Sequence, residues 1–156
     1  MPEPGGQEML QVRSTRFGEV EVPREMVINF PQGMIGFPAL RRYVLIRHRE
    51  GSPFHWLQAL ESEDLAFVVV NPLLFDPGYK LTLGGAESRL LAADDPSQLQ
   101  VWVVVTIPAG HPDKMTANLK APVVINSANR QAAQVILEDP RYTVRHPLSP
   151  QAGGPA

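Results

Sequence analysis

Cysteine is absent from the 156 residues. That removes thiolate catalysis, iron–sulfur chemistry, cysteine-bound zinc and disulfide stapling together, and it suits a reducing compartment. Long apolar runs are missing as well. The longest, Leu65–Val70 and Val101–Val105, fall far short of the ~20 residues of a membrane helix. The amino terminus, MPEPGGQEML, has neither the basic region nor the apolar stretch of a secretion signal, so the expected location is the cytoplasm. No basic surplus exists either: 14 basic against 16 acidic residues leave a net charge of −2. Dedicated nucleic-acid binders usually carry an excess of basic residues, because counterion release drives their affinity. Helical periodicity is scarce.

Short β-patterned runs separated by turn signals are what the chain does contain. Val20 and Val22 alternate with Glu19 and Glu21 behind an Arg16-Phe17-Gly18 turn, the pattern of a half-buried hairpin strand. Met26, Ile28 and Phe30 alternate next. Tyr43–His48 and Phe54–Leu60 read as two strands around Gly51-Ser52-Pro53. Leu65–Val70 is solidly apolar, which predicts cover on both faces. Tyr79, Leu81 and Leu83 alternate again, Val101–Ile107 reads as a central strand, and Val123–Ile125 and Val135–Leu137 form a predicted hairpin. The helical candidates are Ala86–Ala93 and a single turn at Pro38–Arg42. Sixteen prolines and twelve glycines suit the many connections. The predicted fold is all-β: a compact barrel-like or rolled antiparallel sheet of about nine or ten short strands with one or two short helices. Residues 1–8 and 147–156 are expected to be flexible extensions around one domain at 9–146. Phe54, Trp56, Phe67 and Trp102 are assigned to its core.

Motifs for catalysis do not emerge. His48, His55, His111 and His146 include no pair at metal-ligand spacing, so no metal and no cofactor is expected. No G-x-S-x-G elbow or phosphate loop is present; Gly33-Met34-Ile35-Gly36 lacks the Lys-Ser/Thr that would complete the latter. The carboxylate pairs Glu63-Asp64 and Glu138-Asp139 sit among polar and turn residues, without the apolar burial that raises a catalytic pKa. An enzyme with an unrecognised site is the weakest alternative. A stronger one is an RNA-binding β module using the Arg41–Arg49 strand, where basic residues interleave with an aromatic. Strand alternation splits those charges between two faces, and a solvated edge strand accounts for them.

Several segments, read in order, resemble the FliW family. They are Ile28-Asn29-Phe30-Pro31-Gln32-Gly33-Met34-Ile35-Gly36-Phe37; Ser52-Pro53-Phe54-His55-Trp56-Leu57-Gln58; Asp64–Val69; Met115–Asn126, which is the most telling; and Gln134–Glu138 with Tyr142-x-x-Arg145-His146-Pro147-Leu148. The resemblance implies a non-enzymatic flagellar assembly factor with two protein partners. It would bind flagellin in the cytoplasm and, once flagellin is exported, bind the translational repressor CsrA and weaken its hold on flagellin mRNA. Two linked equilibria suffice for such a switch. No direct nucleic-acid or membrane contact is expected, and the unbound protein is expected to be a monomer.

The residues themselves suggest where binding would occur. Thr116, Asn118 and Lys120 alternate with Ala117 and Leu119, so the polar set would share one strand face. Met115 would supply a deformable apolar contact, Phe37 an anchor after its paired glycines, and Asn126 a polar contact at the following turn.

Overall fold

The computed structural model describes residues 8–148. It contains eleven strands: β1 (Met9–Ser14), β2 (Gly18–Pro23), β3 (Ile28–Asn29), β4 (Arg42–Arg47), β5 (His55–Ala59), β6 (Ala66–Val70), β7 (Leu99–Thr106), β8 (Thr116–Ala117), β9 (Val123–Asn126), β10 (Ala132–Gln134) and β11 (His146–Pro147). One α-helix, α1 (Gly85–Leu91), interrupts them. All strand ladders are antiparallel. The all-β expectation is met.

Nine strands form one sheet along the path β10-β9-β7-β6-β5-β4-β3, with β8 branching from β7 and β11 from β8. The path curls until its two ends meet. There the Asn29 N–H donates to the Arg130 carbonyl at 2.9 Å, and Asn29 forms a single parallel bridge with Gln131. One bridge is a seam and not a ladder, so the sheet is rolled without closing as a barrel.

Alternation sorts side chains into two apolar layers. Ile28, Phe30, Met34, Tyr43, Leu57, Val69, Val123 and Ile125 fill the inside of the roll. Trp56, Val68, Val70, Val103, Val105, Leu119 and Val124 point outward, under α1 and the long connections. Adjacent residues of β6 thus serve different layers, which is why its sequence is apolar throughout. Burying each such valine or leucine contributes about 1.5–3 kcal/mol. The β1–β2 hairpin stands apart as its own two-stranded sheet. It docks on β5 through Phe17, edge-on to Trp56 at 5.9 Å, and through the Arg16 guanidinium 4.2 Å over the same ring.

Four local expectations need correction. The strand expected at Val135–Leu137 lies instead at Ala132–Gln134: β10 ends there, because the next partner in register is Pro122, which has no N–H to return. Val135 and Leu137 still donate to the Pro122 and Lys120 carbonyls, at 2.9 and 2.7 Å. Residues 79–83 alternate in burial but join no ladder; the Lys80 N–H goes to the Tyr142 hydroxyl at 2.7 Å instead. Pro38–Arg42 forms no helical turn, only a β-turn closed by Leu40 N–H to Phe37 C=O. Finally, β4 is no simple edge. It pairs with β5 along its length and with β3 at Arg42 and Tyr43, leaving only its far end open.

The expected flexible ends lie mostly outside the described residues. Glu8 is described and pairs with Arg24 at 3.2 Å, and Leu148 is 5% exposed within the outer layer.

Candidate protein-binding surface

Between β3 and β4 the chain makes a tight loop whose shape depends on Gly33. Its φ is +68°, and a Cβ there would lie 2.5 Å from the Phe37 carbonyl oxygen and 2.7 Å from the Pro38 Cα. Only glycine fits. Gly36, at φ +90°, completes the reversal, and Phe37 N–H donates to Met34 C=O at 2.8 Å. Met34 is thereby buried as a plug, while Ile35 and Phe37 remain 54% and 39% exposed. The Phe37 ring meets Phe67 edge-on at 5.7 Å, a favoured aromatic geometry.

Gln134 ties this loop to the segment after β8. Its Oε1 accepts the Ile35 N–H at 2.9 Å, and its Nε2 donates to the Ala121 carbonyl at 3.0 Å. In that segment Met115, Ala117 and Leu119 are buried and Thr116, Asn118 and Lys120 half-buried, the alternation read from the sequence. Asn118 donates its N–H to the Val104 carbonyl at 2.9 Å, and its Oδ1 accepts the Ala121 N–H at 3.0 Å. Thr116 sits opposite Thr106 in the β7–β8 ladder. Thr116 and Asn118 therefore share the sheet face of Val104, whose ladder partner Val69 lies opposite His55, while Lys120 lies in the bend that follows.

The face is continuous. Leu45, Leu57 and Phe67 lie in one row across β4, β5 and β6, and His55 packs 4.7 Å from Trp102. Leu45, Phe67, Trp102 and Val104 are only partly buried. Burial is the main influence lowering the His55 pKa; the Pro53 backbone opposes it and the Arg47 charge reinforces it. Leu57 itself is fully buried; the part-exposed Leu45, Phe67, Trp102 and Val104 with Thr116, Asn118 and Arg47 on the same face match the anatomy of a protein interface, apolar in the middle and polar at the rim.

Two of the six expected contact residues lie elsewhere. Met115 is 2% exposed and packs in the outer layer. Asn126 is 1% exposed; it donates to the Leu91 carbonyl at the end of α1 and accepts the Ala128 and Asn129 N–H groups. Both hold scaffold and touch no solvent-facing surface. Gln134 and Trp102, which do belong to the face, carry no sequence signal beyond their strand positions.

The basic strand is divided as alternation requires. Arg47 and Arg49 are exposed, while His48 accepts the Trp56 indole N–H at 3.0 Å. The Arg41 and Arg42 N–H groups both donate to Glu61 Oε1, at 2.8 and 2.9 Å. Among the described residues no three His, Asp or Glu side chains cluster as a metal site, and no helix is long and apolar enough to cross a membrane.

Comparison with known proteins agrees with the resemblance. The family model described as FliW protein matches residues 11–148. The flagellar assembly factor FliW of Ruminiclostridium cellulolyticum is 44% identical over 136 residues, covering 86% of this chain and 91% of that protein. That of Heliobacterium modesticaldum is 40% identical over 141 residues, 90% of this chain and 92% of that protein. A crystal structure of the flagellar assembly factor FliW superposes with a TM-score of 0.82 at 30% identity, covering 90% of this chain and 98% of that one. The chain belongs to the FliW family of flagellar assembly factors, which are not enzymes.

Proposed function

We propose that this flagellar assembly factor works as a partner switch. It binds flagellin in the cytoplasm and, when flagellin leaves, binds CsrA and relieves repression of flagellin mRNA. Family membership supports the role in flagellar assembly, and the observation that carries the binding mode is the part-exposed Phe37–Phe67 pair on the same sheet face as Thr116 and Asn118. A preformed apolar floor with a polar rim needs no covalent step; occupancy follows from mass action between two clients. Met115 lies buried on the opposite side of β8 from Thr116 and so supports the strand that carries it.

Size-exclusion chromatography of the purified protein with flagellin, with CsrA and with both tests the reading. Each partner alone co-elutes with it, and added flagellin releases CsrA from the preformed complex. Failure of both partners to co-elute overturns the proposal. The exposed Arg47 and Arg49 favour one other reading, direct RNA contact. A gel shift with a flagellin leader separates the two, since salt-resistant binding by the protein alone would support RNA recognition.

A further inference from the structure

Two extended segments line a groove of about 380 Å³ without pairing across it. One wall is Lys80, Thr82, Leu83 and Gly84 with Glu87 of α1; the other is Ile136–Asp139. At one end the Tyr142 hydroxyl accepts the Lys80 N–H, and the Tyr142 ring packs 4.6 Å from Tyr79, so the ring holds the walls apart. Lys80 reaches across far enough that its charge adds to the Arg141 hydrogen bonds in holding the Asp139 carboxyl below its ordinary pKa.

Beyond Tyr142 the walls keep unused backbone groups. Val135 and Leu137 spend their N–H groups on Pro122 and Lys120, so alternation turns the Ile136 and Glu138 N–H and C=O groups to the opposite edge. On the facing wall the same alternation puts Thr82 on the edge marked by Lys80. None of Ile136, Glu138 and Thr82 has a backbone partner among the described residues. Backbone polar groups are obligatory hydrogen-bonders, and two open edges facing one slot are a template for a further strand. Ile136, 61% exposed, offers an apolar contact beside them. The Asp139 carboxylate is already paired with Arg141, which leaves Glu87 and Glu138 against Lys80 along the slot.

We propose that this groove is a strand-addition site that takes an extended segment of another protein with apolar and basic residues in alternation. Backbone pairing with the two walls provides the affinity, Ile136 meets the apolar positions, and Glu87 and Glu138 meet the basic ones. The site is distinct from the Phe37 face and does not depend on which partners bind there.

The test uses the full chain and a fluorescent, end-capped hexapeptide, Val-Lys-Val-Lys-Val-Lys, followed by anisotropy at low salt. Saturable binding is expected below about 1 mM, the weak end of specific recognition. N-methylation of alternate peptide amides is expected to weaken it about tenfold or more, because those amides can no longer pair. Glu138→Lys, an exposed position, should do the same with an unchanged unfolding midpoint, while Glu21→Lys on the β1–β2 hairpin should not. Absence of saturable binding, or equal binding by the N-methylated peptide, overturns the proposal. So does a dimer of the free protein that excludes the peptide, since a second copy would then be the occupant.

Discussion

Phe37 packs edge-on against Phe67 and still leaves much of its ring in solvent, so its energetic weight depends on what covers it. In the free protein the ring pair contributes about 0.5–1.5 kcal/mol. In a complex a desolvated aromatic anchor commonly contributes about 2 kcal/mol or more. Phe37→Ala combined with Lys120→Glu should therefore weaken capture of flagellin or CsrA at least about tenfold and shift the urea midpoint little. Titration calorimetry showing native affinity for both partners would remove this surface from the mechanism. The asparagines separate differently. Asn126→Ala removes the buried acceptor of the Ala128 and Asn129 N–H groups and one of the two amide donors to the Leu91 carbonyl, the other being Asn129, which costs about 1–3 kcal/mol of stability. Asn118→Ala loses one turn hydrogen bond, about 1 kcal/mol. Urea denaturation of the two variants should rank them in that order. His55 adds a pH dependence. Its folded pKa lies below the unfolded value near 6.5, so the unfolded chain binds more protons on acidification. The neutral-His contribution is complete above that value and is lost as pH falls through the folded pKa. His55→Gln should flatten the decline in the urea midpoint between about pH 7 and 5.

Glycine placement decides whether the loop between β3 and β4 presents Phe37 at all. Gly33→Ala drives a Cβ into the Phe37 carbonyl and the Pro38 backbone, neither of which can rotate away. Gly36→Ala meets nothing within 4 Å and carries only the positive-φ strain. The first should cost more than about 2 kcal/mol and the second about 1–2 kcal/mol, measurable as a larger loss of unfolding midpoint for Gly33→Ala. The reverse order would contradict the loop geometry. At this scale much was legible in the residues. VWVVVT announced β7, EVEV announced β2, and the alternation after Met115 put Thr116 and Asn118 on one face. What stayed hidden depended on partners remote in sequence. Nothing local shows that Pro122 falls opposite Val135 and ends β10, or that Tyr142 takes the Lys80 N–H and keeps residues 79–83 out of a ladder. Met115 and Asn126 were misplaced for a related reason: their types suit a surface and an interior equally, and only the packing of β8 against β7 and the end of α1 decides between them.

For the molecule as a whole, β7 joins everything. It pairs with β6, β8 and β9, and its side chains alternate between the two layers, Trp102 and Val104 on the inner side and Val103 and Val105 on the outer. The layers share one backbone, so neither can melt without stripping the other of hydrogen bonds and of apolar cover. The seam at Asn29 brings the two ends of the roll together through a single bridge without closing it, so it can fray without uncoupling the faces. The chain should thus unfold as one cooperative unit. Trp56 reports on the outer layer and Trp102 on the inner face, which makes the expectation measurable. Trp102→Phe leaves Trp56 as the only indole, and Trp56→Phe leaves Trp102. In each variant the fluorescence transition in urea should coincide with loss of the β-sheet circular dichroism of that same variant. A fluorescence transition of the Trp102 reporter that precedes the sheet signal would show the inner face loosening alone, and a binding surface built on it could not then be preformed.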